Sequence, residues 1–278
     1  MFYIDAVLFA TPEDTWDIAD YWPSWLISAA AHELQHMIHF YQKAILRAGG
    51  SNSETWINEM ASMVTQDLVA DKIESDGPRG ISYSDESAGS PGITLGRLPR
   101  YNYYNDVSVA EWYYEGEDVY NCYSINYSFG AYLSRNFGGA EFIRDVVHNS
   151  YTDYRAIDSA LSSGGYSDTF ASVLRKWAVA NLLSDNTAAP GAYQYNSGTW
   201  FQSTIGINYN LGSINLYNYD YGGNTGPYIY TTSPVGNPSD HNKTSNLYYL
   251  VGFGLTGQVE RQITIGQNVK LSVVVKDD

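Results

Sequence analysis

The sequence predicts an α+β protein in which a mainly α-helical region with a short N-terminal strand is followed by a β-rich, sandwich-like region. Two observations lead to this prediction. Residues 1–185 contain long runs with apolar residues at three- and four-residue spacing, which is typical of amphipathic helices. From residue 186 onward, short β-prone runs alternate with clusters of Gly, Asn, Pro and Ser, which is typical of strands joined by turns. We therefore predict one domain over residues 1–185 and a second over residues 186–278.

The N-terminal part is predicted to form one strand and two long helices. Met1–Leu8 has the composition of a strand, and it lacks the basic start and long apolar core of a signal peptide. The stretch Ser24–Arg47 contains no Gly or Pro, and a Gly pair beginning at Gly49 ends it, so we predict a helix there. Ser51, with Glu54 three residues later, predicts a capping box at the start of a second helix.

The rest of the chain is predicted to contain further helices, a long connection and several strands. The helices are predicted at Ser124–Asn136, Ala140–His148, Tyr154–Leu161 and Asp168–Leu183. Residues 75–118 are rich in Gly, Ser, Pro and Tyr, and a connection of this length is usually a functional loop. The clearest strand-like runs are Tyr228–Thr231, Asn246–Phe253, Gln262–Ile265 and Val269–Val275.

Charge and cysteine content exclude several classes of protein. The chain has 278 residues, with 15 Lys+Arg against 30 Asp+Glu, and this net charge of −15 without a basic block excludes a nucleic-acid binder. Cys122 is the single cysteine, so an intrachain disulfide framework and thiolate metal ligands are excluded, and we expect a small buried side chain there. The most apolar early stretch, Trp22–Ala31, is too short to span a membrane.

Three of the five histidines lie within eight residues, at His32, His36 and His39. His32 and His36 are four residues apart, so on a helix they share one face and both imidazoles can meet one metal ion. Glu33 is rotated by about 100° from His32 on the same helix, next to that face. A carboxylate in that position can accept a proton from a water molecule and later donate it to a leaving amine. The pattern therefore predicts a hydrolytic zinc site.

The following helix supplies a candidate third ligand, Glu59, which comes 59 − 36 = 23 residues after His36. This separation lets the first helix end, the chain turn, and a packed second helix present a carboxylate to the two imidazoles. An unpaired Glu in a mainly apolar helix would be costly. His39 is the alternative third ligand, but the metzincin pattern needs Gly at position 39 and His at position 42, where this chain has His39 and Gln42. We expect His39 to be a core residue or to lie just outside the metal ligands.

The motif His-Glu-Leu-Gln-His-Met-Ile-His, followed by Trp-Ile-Asn-Glu-Met, resembles the gluzincin group of zinc metallopeptidases. Within that group it is similar to the hyicolysin-like neutral metallopeptidase family, over about residues 1–185. The resemblance implies a zincin-type catalytic region in which His32, His36 and Glu59 bind zinc and Glu33 is the general base.

A second segment, Ile125–Ala131, is similar to the part of the aminopeptidase branch that supplies a tyrosine to the tetrahedral intermediate. This similarity implies that Tyr127 donates a hydrogen bond to the oxyanion. Tyr123 and Tyr132 lie about one helical turn away and remain alternatives.

Together these patterns predict a zinc endopeptidase that acts on protein or peptide substrates and is secreted or located at the cell surface or in the periplasm. The exopeptidase motif of the aminopeptidase branch is absent, so an aminopeptidase-like exopeptidase is the weaker alternative. Only 31 residues precede His32, where gluzincins usually have a strand-rich subdomain, so a fragment without that part is a further alternative. The alternative from another class is an inactive zinc-bearing module that binds protein or carbohydrate through an aromatic β surface.

One other metal site was considered, at the acidic run Glu115-Gly116-Glu117-Asp118, which offers oxygen ligands of the kind that calcium prefers. The ordered ligand spacing of a calcium-binding loop is absent, so a solvated acidic loop is the simpler interpretation. The sequence does not indicate an oligomeric state.

Overall fold

The computed structural model describes residues 21–73, 77–79, 96–195, 198–231, 242–260 and 262–275. The predicted strand Met1–Leu8 lies outside these residues. The described part of the chain is helix-rich, with short strands towards its C-terminal end, as expected for an α+β protein. Its α-helices are α1 (Tyr21–Phe40), α2 (Thr55–Lys72), α3 (Arg97–Tyr103), α4 (Asp118–Asn136), α5 (Ala140–Val147), α6 (Arg155–Ser163) and α7 (Phe170–Leu183). None of these helices is long and apolar enough to cross a membrane.

The first predicted helix is confirmed as a continuous helical run, because α1 continues into a π-helix at Tyr41–Arg47. The side chain of Lys43, within the π-helix, is buried, and its Nζ donates to the carbonyl oxygens of Val146 (2.7 Å), Asn149 (2.9 Å) and Tyr151 (2.6 Å). A buried ammonium group is stable only when its protons are donated in this way. These bonds tie the end of the first helical run to the last turn of α5 and to the chain that follows it, and they fix the helix that carries the histidine motif.

The second helix is confirmed, but the predicted capping box is wrong. Residues 51–54 are not helical, and α2 begins at Thr55. The backbone N–H of Glu54 instead donates to the carbonyl of Thr152 at 2.8 Å, and its carboxylate accepts from the indole N–H of Trp56 at 2.6 Å. A long-range contact therefore replaces the local cap.

Helix α2 lies between α1 and α4, and its apolar side chains form the centre of the core. Gly130 in α4 permits the close contact, because a Cβ at this position would stand 2.6 Å from Cγ2 of Val64 and 2.7 Å from Cγ of Met60. The spacing between α2 and α4 therefore depends on glycine at position 130.

The remaining predicted helices are confirmed with changes at their ends, and one helix was missed. Helix α4 begins at Asp118, six residues before the predicted start, while α5, α6 and α7 begin and end within two residues of the prediction. Helix α3 lies inside the segment that the sequence assigned to a loop. It has only seven residues and contains Pro99, which argues against a helix in a sequence, although proline is tolerated in a first turn. Burial of Leu98 and Tyr101 stabilises it.

The C-terminal part contains pairs of short strands, and the described residues do not form the predicted sandwich. The strands are β1 (Trp200–Gln202), β2 (Asn208–Asn210), β3 (Asp220–Tyr221), β4 (Asn224–Thr225), β5 (Ile229–Tyr230) and β6 (Tyr248–Tyr249). β1 and β2 pair antiparallel, as do β3 and β4, whereas β5 and β6 pair parallel. The predicted strands Gln262–Ile265 and Val269–Val275 are not formed in the described residues. Val273 and Val275 are 68 % and 81 % exposed, so no burial stabilises pairing there.

Side chains from beyond residue 186 share the core of the helices. Tyr195, Ile214 and Leu216 are buried in the same apolar cluster as Trp177 of α7. The Tyr195 hydroxyl donates to Oδ1 of Asn181 at 2.7 Å, and that amide donates in turn to the hydroxyls of Tyr101 and Tyr248. The division at residue 185/186 stays a prediction, and these contacts show that both parts are packed together.

Candidate metal centre

Helices α1 and α2 bring His32, His36 and Glu59 together at one point. Nε2 of His36 stands 3.0 Å from Nε2 of His32, and Oε2 of Glu59 stands 3.3 Å and 3.5 Å from these two nitrogens. All three side chains are partly buried. Within the described residues, this is the group of His, Cys, Asp and Glu side chains whose ligand atoms lie close enough together to hold an ion.

The three ligand atoms match the geometry of a tetrahedral zinc site. Zinc–ligand bonds of about 2.0–2.1 Å place two tetrahedral ligands roughly 3.3–3.4 Å apart, close to the 3.0, 3.3 and 3.5 Å found here. Oε2 of Glu59 is also buried without a hydrogen-bond donor among the described residues, although it faces two imidazole nitrogens. The two imidazole nitrogens and the carboxylate oxygen converge with too few protons to form hydrogen bonds among all of them. Such a group of atoms is well suited to bind one shared cation, so these residues fit zinc.

The electrostatics of the cluster also favour a cation at this point. Burial alone would raise the pKa of Glu59, but the two imidazoles beside it outweigh burial and lower that pKa to about 2. Burial alone would lower the pKa of His36, but the Glu59 carboxylate, with a smaller contribution from Glu33, raises it overall. The Glu59 carboxylate is therefore ionised at neutral pH and stabilises positive charge at this point.

Ser62, one turn after Glu59 on α2, orients one of the imidazoles. Its Oγ lies 3.1 Å from Nδ1 of His36. When Nδ1–H donates to this hydroxyl, the lone pair of Nε2 faces Glu59 and is available to a metal. The sequence analysis did not identify Ser62, although its position three residues after Glu59 places it on the same helix face.

His39 lies away from the cluster. Its side chain is 1 % exposed, and its Nε2 is 2.8 Å from Oγ of Ser53 in the connection before α2. Burial, with the charges of Lys43 and His36, lowers the pKa of His39 to about 3, so the ring is neutral. The structure thus places His39 in the packing between the two helices.

Glu33 lies beside the cluster and is exposed to solvent. Its charge contributes to raising the pKa of both His36 and Tyr123, so its carboxylate lies within electrostatic range of these residues. This position, close to the ligands and open to water, suits a group that exchanges protons with solvent and substrate.

The structure does not bring Tyr127 to the cluster. Its side chain is completely buried, its hydroxyl has no hydrogen-bond partner in the described residues, and burial raises its pKa well above the usual value. The charged groups that act on it are those of Asp67, Arg79 and Arg135, away from the histidines. The alternative Tyr132 is also buried, and its hydroxyl donates to the carbonyl of Ala192 at 2.7 Å.

Tyr123, also on α4, lies within electrostatic range of the cluster. It is partly exposed, and its pKa is raised by burial and then by the charges of Glu59 and Glu33. Its ring packs edge-on against that of Trp112, with the ring centroids 5.0 Å apart. Arg97 of α3 lies over the same tyrosine ring, with its Cζ 4.6 Å from the ring centroid. The sequence analysis missed Trp112 and Arg97, because both lie in the segment that it assigned to a loop.

The acidic run at residues 115–118 gives no support to a calcium site. It does not belong to the metal-binding group found among the described residues. The Glu117 carboxylate instead accepts from Arg100 at 3.2 Å, and Asp118 begins α4, where its carboxylate faces Asn121. These carboxylates have side-chain partners of their own, as expected for an acidic surface loop.

Two helices that place two histidines and a glutamate around one point, with a second glutamate beside the first histidine, form the kind of centre that zinc metallopeptidases use. The family model described as Peptidase M30 matches residues 24–204. Because this match covers more than half of the chain, the protein belongs to the peptidase M30 family.

The chain is also similar to the neutral metalloprotease ShpI of Staphylococcus hyicus. The two are 24 % identical over 173 residues, which is 59 % of this chain and 35 % of the relative. This chain therefore spans about a third of the length of that protein. Both comparisons confirm the resemblance of the sequence to the hyicolysin-like neutral metallopeptidases.

Proposed function

We propose that this protein is a zinc-dependent endopeptidase. The observation that carries the proposal is the convergence of His32, His36 and Glu59 at tetrahedral spacing, with the Glu33 carboxylate beside them. The peptidase M30 membership and the similarity to a neutral metalloprotease support the same class of reaction. Glu33 is exposed, so a substrate can reach the proposed base.

In the proposed mechanism, His32, His36 and Glu59 hold the ion. When bound, zinc supplies the Lewis acidity that polarises a peptide carbonyl and acidifies water. The Glu33 carboxylate takes the proton from the water that attacks the carbonyl carbon, and it then gives that proton to the nitrogen of the departing amine as the C–N bond breaks. Ser62 keeps the His36 ring in the orientation that binding requires.

Tyr123, not Tyr127, is the residue that we propose as hydrogen-bond donor to the developing oxyanion. Its hydroxyl belongs to the partly exposed ring next to Glu33 and Glu59, whereas the Tyr127 hydroxyl is enclosed in the core. A donor aimed at the oxyanion strengthens its bond as charge develops, so it contributes mainly to kcat.

The exchange Tyr123→Phe is expected to lower kcat for peptide hydrolysis by about 100-fold with little change in KM, because one oxyanion donor is lost. The matched control is Tyr127→Phe on the same helix, for which we expect less than a threefold change, because its buried hydroxyl makes no hydrogen bond in the described residues. Steady-state kinetics on one fluorogenic peptide measure both. A large kcat loss in Tyr127→Phe with none in Tyr123→Phe would reverse the assignment.

The endopeptidase activity itself is tested with denatured casein and the intact, zinc-loaded chain. We expect internal fragments, loss of digestion on addition of 1,10-phenanthroline, and recovery when zinc is restored, since the ligand set fits zinc. Mass spectrometry of the early products separates internal cleavage from stepwise release of N-terminal residues. Bound zinc without any cleavage would favour the inactive binding module, and release of single N-terminal residues would favour an exopeptidase.

A further inference from the structure

Arg97 is a partly buried basic group near the proposed catalytic site that the mechanism does not use. Its guanidinium lies over the Tyr123 ring, with Cζ 4.6 Å from the centroid. Its Nη1 is shut off from solvent and has no hydrogen-bond acceptor in the described part of the chain, while the side chain as a whole keeps some exposure. Burial lowers the pKa of Arg97 to about 10, against the opposing effects of Tyr123 and Glu59, so the group is charged at neutral pH.

Other arginines that are partly or fully buried have a carboxylate partner, and Arg97 differs from them in this respect. Among the described residues, these ion pairs are Arg79–Asp67, Arg135–Asp67, Arg100–Glu117 and Arg144–Asp145. A buried donor left without an acceptor costs free energy, and such groups are found where a ligand completes the hydrogen bonding. Since no described residue accepts a hydrogen bond from this Nη1, we expect a bound ligand to complete its hydrogen bonding.

The charge around the metal centre identifies the kind of partner. With zinc bound, the two charges of the ion and the single charge of Arg97 would exceed the two negative charges of Glu33 and Glu59 by one, which favours an anionic ligand. A single carboxylate would neutralise this excess. A guanidinium also matches a carboxylate geometrically, because two parallel N–H groups can donate to its two oxygens. The Tyr123 ring holds the guanidinium plane in place before the ligand arrives.

We propose that Arg97 binds a carboxylate of the peptide substrate close to the scissile bond and thereby determines specificity. This inference rests on the proposed peptidase function. The carboxylate belongs either to an acidic side chain or to the C-terminus of the substrate, and both present the same two oxygens to the guanidinium. Arg97 thus acts in recognition, whereas Tyr123, on which it stacks, acts on the oxyanion.

The test measures binding without turnover, by calorimetry with the zinc-loaded Glu33→Gln variant. The probes are alanine hexapeptides with acetylated N-termini and amidated C-termini that carry one Glu or one Gln at each position in turn. A further pair differs only in a free or an amidated C-terminus. We expect one position at which Glu binds about 10- to 100-fold more tightly than Gln, or the same preference for the free C-terminus. The first result would show that Arg97 recognises an acidic side chain of the substrate, and the second that it recognises the substrate's C-terminal carboxylate.

The exchange Arg97→Gln in the same Glu33→Gln background is expected to abolish that preference, so that the matched acidic and neutral probes bind with an affinity ratio of about 1. Arg97→Lys keeps the charge but loses the paired donors, so we expect a preference between that of the protein with Arg97 and that of the Arg97→Gln variant. If Arg97→Gln does not fold, Arg97→Lys replaces it in the test. Arg175→Gln is the matched control, because Arg175 is exposed on α7, and the preference should persist there.

Equal affinity for all matched probes, no measurable binding of any acidic probe, or a preference that survives Arg97→Gln would overturn the proposal. Failure of the endopeptidase function is a separate outcome. It would appear as a lack of casein cleavage by the zinc-loaded protein with Glu33 intact, whatever the binding preference of the Glu33→Gln variant.

Discussion

The exchange Glu33→Gln is expected to lower kcat for casein or peptide hydrolysis by about 10²- to 10⁴-fold while zinc remains bound at about one ion per chain. Gln has nearly the same shape as Glu but cannot take a proton at neutral pH, so the proton of the attacking water has no acceptor. Glu33 does not belong to the group whose geometry fits an ion, and its exposed side chain can be changed without leaving an unpaired buried group. Metal analysis and single-turnover kinetics on the same sample separate the two effects.

Glu115→Gln is the matched control for this experiment, since it removes the same charge from an exposed residue of the acidic loop. We expect less than a twofold change in hydrolysis for this variant, with or without calcium. Full activity of Glu33→Gln in a preparation free of other proteases would show that Glu33 is not the base. Loss of zinc from this variant would instead assign Glu33 a role in holding the ion.

The exchange Glu59→Gln is expected to weaken zinc binding by more than about 100-fold and to abolish hydrolysis with it. Changes outside the metal ligands already cost about 10- to 100-fold in affinity, so replacing a charged ligand by a neutral one should cost more. The protein should still fold, because Gln fills the same space between the two imidazoles and leaves no buried charge behind. Competition with a chelator of known affinity measures the zinc constant, and thermal unfolding measures the stability.

Ser62→Ala provides the graded comparison on the same helix. It removes the hydrogen bond to Nδ1 of His36 but leaves all three ligand atoms, so we expect a loss of zinc affinity of about 10-fold, smaller than that of Glu59→Gln. If Glu59→Gln bound zinc as tightly as the unchanged protein, a different third ligand would be required. A loss in His39→Gln equal to that expected for Glu59→Gln would point to His39.

The zinc motif could be recognised in the sequence because its geometry is local. His32 and His36 share a helix face through the helical repeat alone, and Glu33 lies next to that face for the same reason. Glu59 could be named as well, since an ionisable side chain in a mainly apolar helix needs a partner. The distances of 3.3 Å and 3.5 Å from Glu59 to the two imidazoles required the packing of α2 on α1.

The tyrosine assignment could not be settled from the sequence, because it depends on how one helix is placed against another. Tyr127 matches the family segment, but Tyr123 lies one turn away on the same helix and is an equally possible donor from the sequence. The contact of Gly130 with Met60 and Val64 sets the position of α4 on α2. At that position Tyr127 is enclosed in the core and Tyr123 lies within electrostatic range of Glu59 and Glu33.

The role proposed for Arg97 could not be predicted from the sequence either, because it depends on a contact between residues 26 positions apart, Arg97 and Tyr123. The residue type of Arg97 and its sequence neighbours do not predict a functional role. That role can be inferred only from the packing of α3 against α4, which places the guanidinium on the Tyr123 ring without a carboxylate partner among the described residues.

The C-terminal segment shows a local pattern that tertiary structure does not support. Val269–Val275 has the composition of a strand, yet its exposed valines gain nothing from pairing, because β pairing is stabilised by burial against neighbours.

By itself the sequence therefore predicted the helix-rich first part, the candidate metal ligands and the candidate base, since each depends on helical periodicity or on the chemistry of single residues. Only the tertiary structure decided which of Tyr123 and Tyr127 is enclosed in the core, where the unpaired guanidinium lies, and that residues beyond 186 pack into the same core. These features depend on contacts between residues far apart in the chain, and the free energy of such contacts comes from burial and charge pairing that no local pattern records.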